Sequence, residues 1–425
     1  MKQSKPTQRT VNSVVSLPAP TGGLNVMDVY SRMPESDCLR LVNWIPDSYG
    51  LRGRKGYREW AKSIPAAVDS VFAYFAPTNV VSSGATYLTD PTSVAGKLFA
   101  ATKDNIYDVT NSSGSAPAVA QALLGNADSG KINGTMFTNS VGSFLCVASE
   151  ADGYYTFNGT VWAKPTFGGG AGQVGGVDPA NIVFVATWKR RLWFVPRNST
   201  SVWYLPVDAV TGTASEFPIG AQLKHGGNIA YIANWTIDAG EGIDDFIVFV
   251  GTNGDVVIYK GTDPSSATAF GLVGTYYIGE VPTGRRAFCQ YGGDLLLTSV
   301  NGIFPVSYIT RGGAGLLQAG QTDYTYKIRK QFSQQIASSF NAFGWQLQLF
   351  PRESLLICSV PSAVAANTQY AMSTITNGWC VFDGIPIRCM AASSGFLFCG
   401  TSDGRVLLTC HGGYDNVAYG ASSGT

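Results

Sequence analysis

Charge is what this chain has least of. Asp, Glu, Lys and Arg make up 13% of its 425 residues, about half the usual share for a globular protein. The formal net charge is +1, so no overall field gathers nucleic acid or an anionic membrane. Histidine is scarcer still: His225 and His411 are the two copies, each in a Gly-rich loop. A Ser-His-Asp triad would need one of them beside a nucleophile, and no G-x-S-x-G elbow accompanies either. Zinc needs clustered His and Cys, and His411 beside Cys410 is the single such pair. No G-x-x-x-x-G-K-[ST] loop occurs, and the glycine run at 168–176 reads more simply as a flexible connection than as a phosphate cradle. No uninterrupted apolar stretch approaches ~18 residues, so no helical membrane anchor is expected. The polar opening from Met1 lacks the apolar core of a signal peptide, so export by its own sequence is not expected either. Pro and Gly interrupt nearly every segment that could be helical, leaving 116–124 and 331–340 as the exceptions.

What is present is glycine, at 50 residues, with 45% hydrophobic residues and a mean hydropathy of +0.07. A surface so poor in charge is weakly defended against association, which suits a protein living inside an assembly. The eight cysteines are scattered, none in a C-x-x-C pair, and several lie in apolar runs such as 396–399. They read as buried, reduced thiols of a protein made in a reducing cytosol.

A recurring unit organises the chain. A short apolar run, a polar turn with Gly or Asn and a second apolar-aromatic run appear at 97–110, 144–158, 191–206, 246–260, 295–310 and 396–410. A degenerate copy spans 355–361 and 369–383. Each reads as a β-hairpin around a turn such as Asn253-Gly254, Asn301-Gly302 or Asp403-Gly404. Their recurrence about every 40–60 residues matches the length of a four-stranded propeller blade. The expected fold is therefore all-β, a β-propeller of six or seven blades with an N-terminal extended docking segment. Its expected divisions are an extended arm at 1–20, the docking segment at 21–65, the propeller at 66–411 and a flexible tail at 412–425.

Candidate functional residues are mostly basic. Arg52, Arg54, Lys55 and Arg58 fall within seven residues, interleaved with Tyr57 and Trp60, a mixture common at subunit interfaces. Lys189, Arg190 and Arg191 form a second run, Arg285 and Arg286 a third, and Lys327, Arg329 and Lys330 a fourth. These suit phosphate contacts along a DNA channel, or solvated turns with packed Trp neighbours. Asp238, Glu241, Asp244 and Asp245 form an acidic cluster whose spacing is not that of a Ca²⁺-binding helix-loop-helix, so a solvated hairpin connection is the simpler account. No catalytic residues, cofactor or metal are expected.

Five stretches, 21–28, 40–61, 201–220, 244–267 and 284–307, resemble in order the tail proteins of short-tailed bacteriophages, among them the tail nozzle β-propellers. The resemblance implies a structural virion protein, made in the bacterial host cytoplasm. It implies a homo-oligomer, a hexameric ring, seated below the portal and the head-tail adaptor among other tail proteins. Double-stranded DNA would pass it transiently during ejection, contacted without sequence preference. Longer members of the family carry a further strand-rich segment after the last blade. The rival readings are a receptor- or glycan-binding propeller of the virion and, further off, a propeller glycosidase, which would need carboxylates converging from separate blades.

Overall fold

In the computed structural model, residues 16–75, 96–238, 243–311, 323–362 and 367–418 are described. They form a seven-bladed β-propeller, within the six or seven expected. Blade one is Ser70–Tyr74, Lys97–Ala101, Asn105–Asp108 and Ala118–Ala122; blade two is Ile132–Thr138, Ser143–Ser149, Gly153–Phe157 and Trp162–Ala163. Blade three is Ile182–Trp188, Arg191–Pro196, Ser201–Tyr204 and Ser215–Pro218; blade four is Ile229–Asp238, Ile243–Gly251, Asp255–Gly261 and Phe270–Tyr277. Blade five has three strands, Phe288–Tyr291, Asp294–Ser299 and Gly302–Pro305, and is followed by the helices Val306–Thr310 and Arg329–Ser339. Blade six is Gln346–Phe350, Leu355–Val360, Thr368–Ser373 and Trp379–Phe382. Blade seven takes Cys389–Ser393, Phe396–Gly400 and Val406–Thr409 from the C-terminal part and its outer strand, Tyr57–Ala61, from the N-terminal part.

Each hairpin read from the sequence is the second and third strand of one blade, with the copy at 369–383 running on into the fourth strand of blade six. The pairing is antiparallel throughout each blade, as short polar turns between consecutive strands require. Gly254 shows why glycine sits in such turns. Its φ is +93° and a Cβ there would fall 2.2 Å from the carbonyl oxygen of Gly279, where the chain leads towards blade five. Gly153 repeats the device against Pro179 on the way into blade three. Ser149 and Ser299 end the second strands of blades two and five, and each hydroxyl donates 2.8 Å to a backbone carbonyl of the loop leading into its own blade, Ser129 and Ile278.

Apolar side chains gather between neighbouring blades. One cluster spans blades three to five, with Trp193, Phe249 and Val306 wholly buried. Another joins blades five, six and seven to the N-terminal segment through Trp345, Tyr370 and Trp379. Blades thus adhere face to face, and the last joint closes because Tyr57–Ala61 brings the start of the chain to its end.

Several boundaries differ from expectation. The docking segment at 21–65 contains a propeller strand, since Tyr57–Ala61 pairs with Val406–Thr409. Residues 116–124 are not helical: Ala118–Ala122 is the edge strand of blade one, because tertiary pairing with Asn105–Asp108 overrides the helical preference of alanine. The Arg329–Ser339 helix covers the other predicted stretch. The tail expected at 412–425 is ordered where described: Val417 exchanges backbone hydrogen bonds with Tyr57 and Glu59, extending blade seven by one more strand-like segment. The glycine run at 168–176 is likewise shaped, with Val174–Gly175 pairing in parallel with Gly212–Thr213. Residues 1–15 of the expected arm and 419–425 of the tail lie outside the described residues.

Candidate functional site

Two polar constellations stand out, one at the rim and one on the axis. At the rim, 16–56 wraps the outer edge of blade six. Val42 bridges Val381, and the hairpin Trp44–Asp47 with Gly50–Gly53 packs on the same blade. The basic cluster predicted as an interface fastens this wrap. Glu353, on blade six and buried, accepts from Arg52 at 2.8 Å and from Lys55 at 2.7 Å. Arg54 forms a two-armed pair with Asp415, at 2.9 and 2.6 Å, tying the N-terminal segment to the C-terminal one. Tyr57 is buried and its hydroxyl reaches the Gly384 carbonyl at 3.4 Å. Arg58 is buried with its guanidinium 5.8 Å from the centre of the Trp60 ring. Trp60 is wholly buried, edge-on to Phe398 at 4.9 Å, and donates its indole N–H to the Val109 carbonyl at 2.7 Å. These six residues hold the chain's own ends to the propeller. This segment exposes the large apolar residues Leu17, Met27, Val29, Tyr30, Leu39, Trp44 and Tyr49 alongside the charged Arg32, Glu35, Arg40 and Lys55.

The axial site is built by topology. The first strand of each blade lies innermost, and the starts of these strands point to one face. Residues immediately preceding them therefore converge: Asp69 before blade one, Lys131 before blade two, Arg285 and Arg286 before blade five, Arg388 before blade seven. Turns between second and third strands reach the same face, and two of them add Glu150 and Arg197. Arg285 contacts Glu150 at 2.6 Å and donates to the carbonyls of Ile229 and Ala230, so it joins blades two, four and five. Arg388 pairs with Asp69 at 2.7 Å. Arg286 donates to the Asp69 carbonyl at 3.0 Å. Beneath them lies a cavity of about 290 Å³ lined by inner strands, including Asn133, Phe184, Gln346 and Met390. Burial lowers the Arg286 pKa from its ordinary value, and the nearby carboxylates Asp69 and Glu150 oppose that; arginine stays a cation in proteins regardless.

The remaining basic candidates are dispersed. Lys189 and Arg190 occupy the turn between the first two strands of blade three, on the opposite face, both at positive φ. Lys189 pairs with Asp245 at 2.7 Å, Arg190 with Asp208, and Arg191 lies over the Tyr204 ring. Lys327 holds the buried Asp37 at 2.8 Å and the Gly22 carbonyl, another fastening of the N-terminal wrap. Arg329 pairs with Asp323, and Lys330 is exposed. Arg285 and Arg286 thus face the propeller's own axis, beside the cavity of about 290 Å³.

Of the acidic cluster, Asp245 is engaged by Lys189 and Thr236; Glu241 and the side chains of Asp238 and Asp244 lie outside the described residues. Among the described residues no group of three His, Cys, Asp or Glu could hold a metal ion, and no helix is long and apolar enough to cross a membrane. All eight cysteines are free, five of them buried, and burial pushes Cys146 and Cys380 up to about 12. Sequence reasoning missed Lys131, Glu150, Arg197, Asp69 and Arg388, which share no motif. Their one common signal is position beside a blade's first strand or in a second-to-third-strand turn.

No family profile matches the sequence, and no curated protein matches it. Among solved structures, the computationally designed Ika8 protein is similar at 9% identity over 84% of this chain and 99% of its own, with a TM-score of 0.42. BBS1N, solved in complex with ARL6DN, is similar at 12% identity over 84% of this chain and 97% of its own, with a TM-score of 0.45. The extracellular domain of a hybrid two-component system from B. thetaiotaomicron is similar at 12% identity over 84% of this chain and 39% of its own, with a TM-score of 0.49.

Proposed function

We propose that this chain is a structural propeller of a short phage tail, a subunit of the nozzle-like ring below the portal and adaptor, and that it performs no catalysis. The observation that carries the reading is the contrast within residues 16–56. Arg52, Lys55 and Asp37 are paired with later parts of the same chain, while six large apolar residues between Met27 and Tyr49 face outward beside Arg32, Glu35 and Arg40. A segment fastened rigidly and dressed in apolar groups is built to be covered by a neighbour. The stretches that resemble the tail family, 21–28 and 40–61, coincide with this wrap and the strand that closes blade seven.

In such a ring the propeller is a stiff wall, and the duplex runs along the lumen between subunits instead of through a propeller axis. Closed cyclic symmetry repeats the wall around that path. Exposed cations such as Arg40 and Lys330 are then the groups available for loose phosphate contact.

Electron microscopy of the purified chain, alone and mixed with portal-adaptor complexes, tests this. Rings with an axial lumen are expected, and Trp44→Ser combined with Tyr49→Ser should leave a folded monomer. A parent chain that stays monomeric and ignores the complex would overturn the assembly reading, and glycan binding would then be examined.

A further inference from the structure

Most of the charged side chains gathered at the axial mouth are matched in pairs. The basic side chains Lys131, Arg197, Arg285, Arg286 and Arg388 stand among the carboxylates Asp69, Asp128 and Glu150. Lys131 is matched by Asp128, Arg285 by Glu150 and Arg388 by Asp69. Arg197 is exposed and donates to the Glu150 backbone carbonyl. Arg286 is different. It is half-buried and lines the cavity, and among the described residues no carboxylate stands within ion-pairing distance of it. Its one hydrogen bond goes to a neutral backbone carbonyl.

A guanidinium carries five N–H donors in a planar fork, so most of the capacity of Arg286 remains unused inside a concave site. Phe343 backs it at 5.8 Å and also backs the Lys131 ammonium at 4.7 Å. A cation with no direct ion pair, lining a concave site, attracts an anion of matching shape, and arginine matches tetrahedral and planar oxyanions with paired hydrogen bonds.

We propose that the axial mouth is a binding site for a compact oxyanion of phosphate size, held chiefly by Arg286 with Arg388 beside it. Both guanidiniums bond Asp69, one at its carbonyl and one at its carboxylate, which sets them side by side. The cavity of about 290 Å³ accommodates free phosphate or a small phosphate monoester and excludes the continuous backbone of a nucleic acid. The site is independent of the assembly reading, because it lies within one chain.

The test is thermal denaturation of the full chain in millimolar inorganic phosphate at constant ionic strength. Phosphate should raise Tm for the parent and for Arg190→Gln, whose cation lies on the opposite face. Arg286→Gln should lose at least about tenfold in phosphate affinity, as expected for removing hydrogen bonds to a charged group, and Arg286→Lys should recover part of it. Should Arg286→Gln fail to fold, Arg388→Gln reads the same loss. A short oligothymidylate added alongside should leave the phosphate effect unchanged. No rise for the parent, an undiminished rise in Arg286→Gln or Arg388→Gln, or displacement of phosphate by the oligonucleotide would each overturn the site.

Discussion

Rim and axis use the same chemistry, guanidinium against carboxylate, in opposite settings. At the rim, Arg52, Lys55 and Glu353 lie beside the apolar cluster that joins the N-terminal segment to blade six, with Ile45, Phe350 and Trp379 buried in it. There the ion pairs steer a segment that hydrophobic burial already holds. On the axis the polar groups are themselves the joint: Arg285 spans three blades, and the cavity below it is part polar, with Asn133 and Gln346 among its lining residues. The lesson is that a salt bridge over a sealed core fixes geometry, whereas one beside a hollow leaves donors unspent and open to a ligand.

The comparison breaks most visibly at Trp60. Trp60→Ala removes the largest side chain of the blade-seven joint and should lower stability by about 3–5 kcal/mol, read by chemical denaturation. Early proteolysis within 16–56 should accompany it, since the outer strand of blade seven would no longer be held. Next comes Glu353→Gln, which leaves Arg52 and Lys55 without their shared partner and should be destabilising by about 1–3 kcal/mol. Hydrogen exchange should quicken in the hairpin at 44–53 and stay unchanged in blades two and three. The smallest effect is expected on the axis. Glu150→Gln frees a second guanidinium, Arg285, at a smaller stability cost than Glu353→Gln because Arg285 keeps its bonds to the Ile229 and Ala230 carbonyls, and should tighten phosphate binding severalfold by calorimetry. Equal destabilisation at Glu150 and Glu353 would erase the distinction between the two sites.

The hairpins were legible because their signal is local. In 246–260 the apolar run, the Asn-Gly turn and the returning run lie within fifteen residues, and the pairing of Val250 with Val256 follows from chain connectivity alone. The inner strands were less visible, since Phe288–Tyr291 and Cys389–Ser393 are short and carry no turn of their own on the inner side. The basic runs misled for a related reason. A run such as 52–58 looks like an exposed patch in one dimension, but its partners Glu353 and Asp415 stand some 300 residues away.

By itself, then, the sequence determined the secondary-structure period, the hairpin turns and the blade-sized repeat. All of these depend on neighbours a few positions apart. Only the tertiary structure decided that the start of the chain closes blade seven, that Arg52, Arg54 and Lys55 pair with carboxylates far along the same chain, and that Asp69, Lys131, Glu150, Arg286 and Arg388 share one mouth. Closure of a ring brings together the same position of every blade, and that convergence is a property of the circle, invisible along the line.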